Sequence, residues 1–220
     1  MNAEWRIAAK YAAHEAAISE AKDYGGNLDQ SFNYRWEHIK AVVVLALKIA
    51  NMIDVDPEIV EAAAWLHDIA KTEGEDHAEL GARKAGSLLE NTNFPGHKIR
   101  SVEQAIAQHK GLWRDEPLVD PAAMVLWDAD KLSKIGLTAV IHWIGMFLAG
   151  DTPMTSLDLI SKGRDAAWQA KTVASMHTEP AQRAAVARFK ASNAFWSELE
   201  AELKGDDLEV SSILSVGSDG

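Results

Sequence analysis

Apolar positions recur with a helical period along most of the chain. In the segment 33–53, they fall three and four residues apart and form one stripe, which comprises His38, Val42, Leu45 and Ile49. That spacing is typical of one face of an α-helix, whereas alternation with a period of two, as in a half-buried strand, is scarce. The pattern therefore predicts an all-α fold, built as a single globular helical bundle with no convincing strand.

Turn-forming residues divide this pattern into about nine or ten helices. The sequence YGGN ends the first helix, Pro57 suits the first turn of the third, and NTNFPG closes the fourth. The predicted helices are 3–23, 33–53, 57–71, 76–91, 98–110, 118–131, 136–149, 155–162, 164–176 and 179–203.

We predict one domain at 1–204, because no linker, repeat or low-complexity block interrupts the pattern. Its motif core spans about 30–150 and its C-terminal helices span 154–203. Residues 205–220 have mixed polarity and terminal glycines, so we expect them to form a disordered tail.

Composition excludes several classes of site and partner. The chain has no cysteine, which removes disulfides, thiolate metal sites and a cysteine nucleophile. The formal net charge is −11 and no basic run is visible, so an extended nucleic-acid surface is not expected. The first residues carry charges, and the longest apolar run, AVVVLALKIA, is broken by Lys48. A membrane span is therefore not expected, and a cytoplasmic location is.

Two imidazoles and two carboxylates come from three predicted helices. His38 lies on the apolar stripe, His67 and Asp68 end the apolar part of AAAWLHDIAKTEG, and an acid ends the apolar run in VLWDADKLSKIG. Such a mixed nitrogen and oxygen set suits first-row divalent metals, and helical bundles hold metals in this way. The alternative is a set of hydrogen-bonded core histidines and capping acids. Periodicity does not choose between Asp128 and Asp130, because that run is apolar on all faces.

Three segments, NYRWEHIKAVVVLALKIA, EIVEAAAWLHDIAK and LWDADKLSKIG, together resemble the H…HD…D signature of the HD superfamily of metal-dependent phosphohydrolases. The resemblance extends over residues 30–200 or so and is closest to small stand-alone members. It implies an HD-type helical bundle. The metal ligands that it implies are His38, His67, Asp68 and Asp130, with Asp130 favoured over Asp128.

The same resemblance bears on the number of ions. His77, in HAELGA, and His109, in AIAQHKG, match positions that bind a second metal in the binuclear branches of the superfamily. Their alternatives are a helix-start histidine and a core histidine. We favour one divalent ion over two, with His77 and His109 either hydrogen-bonded around the metal ligands or facing the substrate. The metal is not resolved among Mn, Mg, Co, Ni, Fe and Zn.

Phosphoryl transfer needs positive charge around the phosphoryl oxygens. Arg35 lies one helical turn before His38 and Lys71 one turn after His67, so we expect both to act on a phosphate beside the ligand Asp68. Lys131 and Lys134 follow Asp130, and for Lys134 a surface position is favoured. The leaving-group acid is not identified, unless it is His77 or His109.

The predicted function is hydrolysis of a small phosphorylated molecule, first of all a nucleotide, by a metal-activated water. Phosphatase, pyrophosphatase and phosphodiesterase activity are not distinguished. Two alternatives are a di-iron HD-type oxygenase and a non-enzymatic, metal-stabilised binding or regulatory module. The motifs of rival hydrolases, such as G-x-S-x-G and H-E-x-x-H, are absent. The oligomeric state is unknown, a homodimer being one alternative.

Overall fold

The computed structural model of the protein is helical throughout the ranges that it describes, which are 4–23, 32–149, 153–164 and 167–209. Within these ranges the chain forms ten α-helices and two 3-10 helices, and no strand. The α-helices are α1 (Glu4–Asp23), α2 (Tyr34–Ile53), α3 (Pro57–Leu66), α4 (His77–Glu90), α5 (Gly96–Ala107), α6 (Pro121–Leu132), α7 (Leu137–Ala149), α8 (Ser156–Arg164), α9 (Ala167–Ala174) and α10 (Glu179–Lys204). The all-α prediction is confirmed.

The helices α3 and α6 both begin with an aspartate that is followed by a proline. Asp56 precedes Pro57 and accepts a hydrogen bond from the backbone N–H of Glu58. Asp120 precedes Pro121 and accepts a hydrogen bond from the backbone N–H of Ala123. Proline at the first helical position loses no hydrogen bond, and an aspartate cap satisfies a free N–H group. These starts set the positions from which both helices enter the core.

The end of α3 differs from the prediction. The helix ends at Leu66 and not at 71, so His67 and Asp68 lie in the turn that follows it. The turn is closed by three-residue hydrogen bonds, such as the one from the N–H of Ile69 to the carbonyl of Leu66. A 3-10 helix then covers Lys71–Asp76. Because the helix has already ended, the side chains of His67 and Asp68 lie beside α2, where both approach His38.

The first six helices, α1 to α6, all contribute buried residues to the main hydrophobic core. On α2, Val42 and Ile49 are buried as the stripe predicts, whereas Leu45 is only partly buried. A smaller cluster joins α7, α8 and α10 through Val140, Ile160 and Trp196. The long helix α10 contacts α6, α7, α8 and α9 and so links the two clusters.

Two predictions concern residues that lie wholly or partly outside the described ranges. The YGGN turn lies outside the described residues, as does the predicted tail from 210 onward. The described start of that tail forms a 3-10 helix, Asp206–Glu209. Of the helices described above, none is long and apolar enough to cross a bilayer.

Candidate metal centre

Three of the four predicted metal ligands, His38, His67 and Asp68, offer ligand atoms within 4.8 Å of one another, and the fourth, Asp130, lies beside His38. His38 comes from α2, His67 and Asp68 from the turn after α3, and Asp130 from the last turns of α6; all are at most 2% exposed. The Nε2 atom of His38 lies 3.2 Å from Oδ1 of Asp130 and 3.7 Å from Oδ2 of Asp68. The Nε2 atom of His67 lies 3.4 Å from the same Asp68 oxygen. The fold thus groups His38, His67 and Asp68 closely enough for one ion, with Asp130 in contact with His38.

Hydrogen bonds outside this group determine the tautomers of its two histidines. Nδ1 of His67 lies 2.8 Å from the carbonyl oxygen of Ala64, and it must donate because a carbonyl only accepts. Nδ1 of His38 lies 2.9 Å from Oγ of Ser133, whose own proton goes to the carbonyl of Asp130. Ser133 Oγ therefore accepts from His38. In both rings Nε2 is left with a lone pair directed at the centre.

The resulting arrangement places acceptors against acceptors. The two Nε2 atoms of His38 and His67 are 3.4 Å apart, and both face carboxylate oxygens. Buried lone pairs that face one another without a proton are costly. A divalent cation between them removes that cost, and histidines held through Nδ1 are the usual form of metal-ligating imidazole. The donor set therefore fits a divalent ion.

His77 and His109 lie on the other side of Asp68 and form with it a second group of potential ligands. Nδ1 of His109 donates to the carbonyl of Ile106, and its Nε2 lies 3.4 Å from Oδ1 of Asp68. Nδ1 of His77 donates to the carbonyl of Gly74, and its Nε2 lies 3.2 Å from Nζ of Lys71. The lone pair of His77 thus already has a donor.

Arg35 connects the centre to the first helix. Its guanidinium forms a two-pronged ion pair with Glu20 of α1 and a hydrogen bond to Oδ2 of Asp68. Burial acts to lower the pKa of Arg35, but Asp68 and Glu20 raise it above the usual range. Burial likewise opposes ionisation of Asp68, yet the guanidinium of Arg35 holds the pKa of that carboxyl well below its usual range. Asp68 is therefore a carboxylate.

Two lysines neutralise Asp130. Nζ of Lys131, which is 1% exposed, bonds Oδ2 of Asp130 and the carbonyl of His109; burial lowers the pKa of this lysine to about 8. Nζ of Lys134 lies 2.5 Å from Oδ1 of Asp130. The side chain of Lys134 is 19% exposed, so the favoured surface position is wrong. Because the turn after α6 folds back towards α2, Lys134 points inward.

Asp128 lies on the opposite side of α6, away from the cluster. Its carboxylate accepts hydrogen bonds from the N–H of His177 at 2.9 Å, and from the N–H and hydroxyl of Thr178, each at 2.7 Å. Thr178 is the N-cap of α10, so Asp128 anchors the start of that helix. The structure thus separates the two acids that periodicity left equivalent, and only Asp130 faces His38.

Glu20 and Ser133 were not predicted from the sequence. Ser133 lies three residues after Asp130, a helical spacing that puts both on one side and could have indicated it. Glu20 is one of several acids on α1 and has no local pattern that distinguishes it. It is recognisable only from its contact with Arg35.

Burial of the histidines predicts a pH dependence for the metal-free protein. Burial lowers the pKa of His38 to about 3 and that of His109 to about 4, whereas an unfolded histidine titrates near 6.5. Below pH ~6.5 the unfolded chain therefore binds more protons than the native one. We expect the free energy of unfolding to fall between pH ~6.5 and ~4, by up to about 1.4 kcal/mol per pH unit for each histidine.

Urea unfolding of chelator-treated protein at several pH values measures this slope. The variant His109→Gln serves as a control, since it should show a shallower slope over the same range. A free energy of unfolding that stays constant from pH 6.5 to 4 would contradict the assignment of buried, neutral imidazoles.

Fold and centre together define an all-α protein with a buried cluster of histidines and aspartates that could hold a metal ion. Comparison with known families specifies this class further: residues 35–135 match the model of the HD domain, a segment that contains His38, His67, Asp68 and Asp130. The chain therefore carries an HD domain at residues 35–135.

Solved structures share the fold over most of the chain. One is a predicted HD superfamily hydrolase from an uncultured Thermotogales bacterium, with a TM-score of 0.61, 24% identity, and coverage of 89% of this chain and 91% of that one. A second is an HD-superfamily hydrolase from Bacillus thuringiensis, with a TM-score of 0.60, 20% identity, and coverage of 86% and 96%. A third is YpgQ of Bacillus subtilis in complex with ADP, with a TM-score of 0.59, 20% identity, and coverage of 91% and 99%.

Proposed function

We propose that the protein is a metal-dependent phosphohydrolase that acts on a small phosphorylated molecule. The observation that carries this proposal is the grouping of His38, His67 and Asp68, with Asp130 beside His38, among cationic side chains. A divalent ion held there lowers the pKa of a water molecule and polarises a phosphoryl oxygen. The role of the surrounding protein groups is then to bind and orient the phosphate.

The charge balance of the centre favours an anionic ligand. Among the described residues, four cationic side chains surround it, namely Arg35, Lys71, Lys131 and Lys134, against the three carboxylates Glu20, Asp68 and Asp130. An added divalent ion increases the excess of positive charge. The centre is therefore locally cationic although the chain as a whole carries a formal charge of −11. A phosphate is an anion of the kind that such a site attracts.

One ion is favoured over two because of the position of Lys71. Its Nζ lies 3.2 Å from Nε2 of His77 and 3.8 Å from Oδ1 of Asp68. A second ion bound by Asp68, His77 and His109 would have to displace this ammonium group. We propose instead that His77 positions Lys71 at the entrance of the site, where the lysine side chain is 34% exposed.

A nucleotide is the first substrate class to test. YpgQ, which has the same fold, was crystallised in complex with ADP. A nucleoside phosphate needs one site for its phosphates and another for its nucleoside. In this chain the cationic centre suits the phosphates, and a neighbouring cavity suits the remainder of the molecule.

Lys71→Ala should retain the bound metal but lower turnover of phosphate esters about 10-fold or more. Removal of one charge contact made in the transition state costs roughly 1.4 kcal/mol or above. Metal analysis and steady-state kinetics on the same preparation, with and without added divalent ions, measure both effects. Lys84→Ala is the matched control, because Lys84 is exposed and pairs with Glu73 on the surface.

Other outcomes distinguish the alternatives. Equal turnover in Lys71→Ala, Lys84→Ala and the wild type would remove the assigned role of Lys71. Two equivalents of redox-active iron in the freshly purified protein would instead favour a di-iron oxygenase. Binding of phosphorylated ligands without any turnover would indicate a binding or regulatory module.

A further inference from the structure

A cavity of about 260 Å³ lies beside the metal centre, between the end of α6 and the helices α7, α8, α9 and α10. Four aromatic side chains line it, namely Tyr34, Trp143, Trp168 and Trp196. We call this space the aromatic cavity. Its volume is below the roughly 300–1,000 Å³ of typical drug-sized pockets, so it suits one small ring system and excludes a polymer.

Three residues are shared between the aromatic cavity and the metal centre. Tyr34 stacks on the ring of the proposed ligand His38, with ring centroids 6.0 Å apart and planes 15° apart. Ser133 bonds Nδ1 of His38, and Lys134 pairs with Asp130. A phosphate at the centre therefore has the aromatic cavity directly beside it, within reach of the organic part of the same molecule.

The charged residues that line the aromatic cavity are all cationic in the described part of the chain. Among the described residues its lining contains the cations Lys134 and Lys162 and no carboxylate. Nδ1 of His142 is buried, and it has no hydrogen-bond partner in the part of the chain that the structure describes. The residue itself is 8% exposed and its ring meets that of Tyr34 edge-on, with centroids 6.0 Å apart. A buried polar atom without a partner is costly, and because His142 lines the aromatic cavity, a ligand bound there can supply that partner.

We propose that the aromatic cavity binds a planar aromatic ring of the phosphorylated substrate, with Nδ1 of His142 hydrogen-bonded to a polar atom on the edge of that ring. This inference rests on the proposed function, since the phosphate at the metal centre brings the ring to the cavity. Aromatic side chains stack on a planar ring, and the absence of carboxylates from the described lining allows an electron-rich edge to approach.

The pairing capacity of His142 fits a heterocyclic ring. Burial lowers the pKa of His142, so its imidazole is neutral at neutral pH. A neutral imidazole has one donor and one acceptor nitrogen and can match either an N–H or a ring nitrogen. The residue is therefore assigned to substrate selection, and not to the hydrolysis itself.

The test compares ligands that have a ring with one that lacks it. The ligands are the 5′-monophosphates of adenosine, guanosine, cytidine and uridine, their phosphate-free nucleosides, and ribose 5-phosphate. The variants are Trp168→Leu and His142→Phe, which keeps the aromatic shape but removes the nitrogens. Trp113→Leu is the control, because Trp113 is 40% exposed and packs under Lys171 outside the cavity. Dissociation constants come from calorimetry, and circular dichroism checks that each variant is folded.

For the ligand that the wild type prefers, Trp168→Leu and His142→Phe should each raise the dissociation constant about 5-fold or more, as expected for one lost stacking contact or one lost hydrogen bond. The dissociation constant of ribose 5-phosphate should stay within about twofold, and Trp113→Leu should change neither value. Unchanged binding of the ring-bearing ligands by both folded cavity variants would overturn the inference.

Failure of the proposed function is recognised separately. If no phosphate ester is hydrolysed but the cavity variants still lose affinity for the nucleosides, the aromatic cavity stands and the enzymatic function fails. If esters are hydrolysed with the same kcat/KM whether or not they carry a ring, the phosphohydrolase stands and the aromatic cavity fails.

Discussion

Asp68→Asn should abolish hydrolysis while the fold stays intact. Both oxygens of Asp68 are in use: Oδ2 contacts Arg35 and lies 3.4 Å from Nε2 of His67, and Oδ1 lies 3.4 Å from Nε2 of His109. An amide has the same size but no negative charge, so it is a poor metal ligand and a poor partner for Arg35. We expect kcat/KM to fall by about 1,000-fold or more, since both the metal and its activated water are affected.

Kinetics and metal content measured on one preparation test this prediction. Circular dichroism should show wild-type helicity, because Asp68 lies in the turn after α3 and not within a helix. Arg35 keeps its ion pair with Glu20 in the variant, so it is not left alone in the interior. If Asp68→Asn keeps wild-type turnover and metal content, the catalytic site lies elsewhere.

Asp128→Ala should give the opposite phenotype, a loss of stability with the centre preserved. Truncation leaves the N–H groups of His177 and Thr178 without their acceptor at the start of α10. Each unsatisfied buried donor costs about 1–3 kcal/mol, so we expect the free energy of unfolding to fall by about 3 kcal/mol or more. Because α10 contacts α6, α7, α8 and α9, this loss affects the whole described fold.

Denaturant unfolding measures the effect, and metal content of the folded fraction supplies the control. Asp128→Ala should bind metal as the wild type does, whereas Asp130→Ala should not. A stable Asp128→Ala variant that has lost its metal would mean that the two acids are assigned the wrong way round.

The pair Asp128 and Asp130 illustrates what the pattern along the chain determines. Spacing predicts α6 and the presence of acids near its end, but the helix is buried on all sides, so no polar face indicates which acid faces α2. The choice depends on Thr178, which lies 50 positions further along the chain. A contact at that separation leaves no periodic trace near either residue.

The same reason explains the other differences. His38, His67 and Asp68 are predictable because each belongs to a short apolar context with a local period. Glu20 is not, since its partner Arg35 comes from the next helix. Lys134 resembles a surface cation in the sequence and faces inward only because the chain turns after Leu132, where α6 ends. Local pattern thus predicts the helices, and packing between helices determines the environment of the charges.

The central claim is that the cluster of His38, His67, Asp68 and Asp130 binds the metal that hydrolysis requires. The most direct measurement is anomalous diffraction at the absorption edge of the metal found in active, freshly purified protein. We predict one peak per chain, at roughly 2.0–2.2 Å from Nε2 of both histidines and from an oxygen of each aspartate. A fully active protein whose crystals show no peak at this cluster, or show the metal bound elsewhere, would contradict the claim.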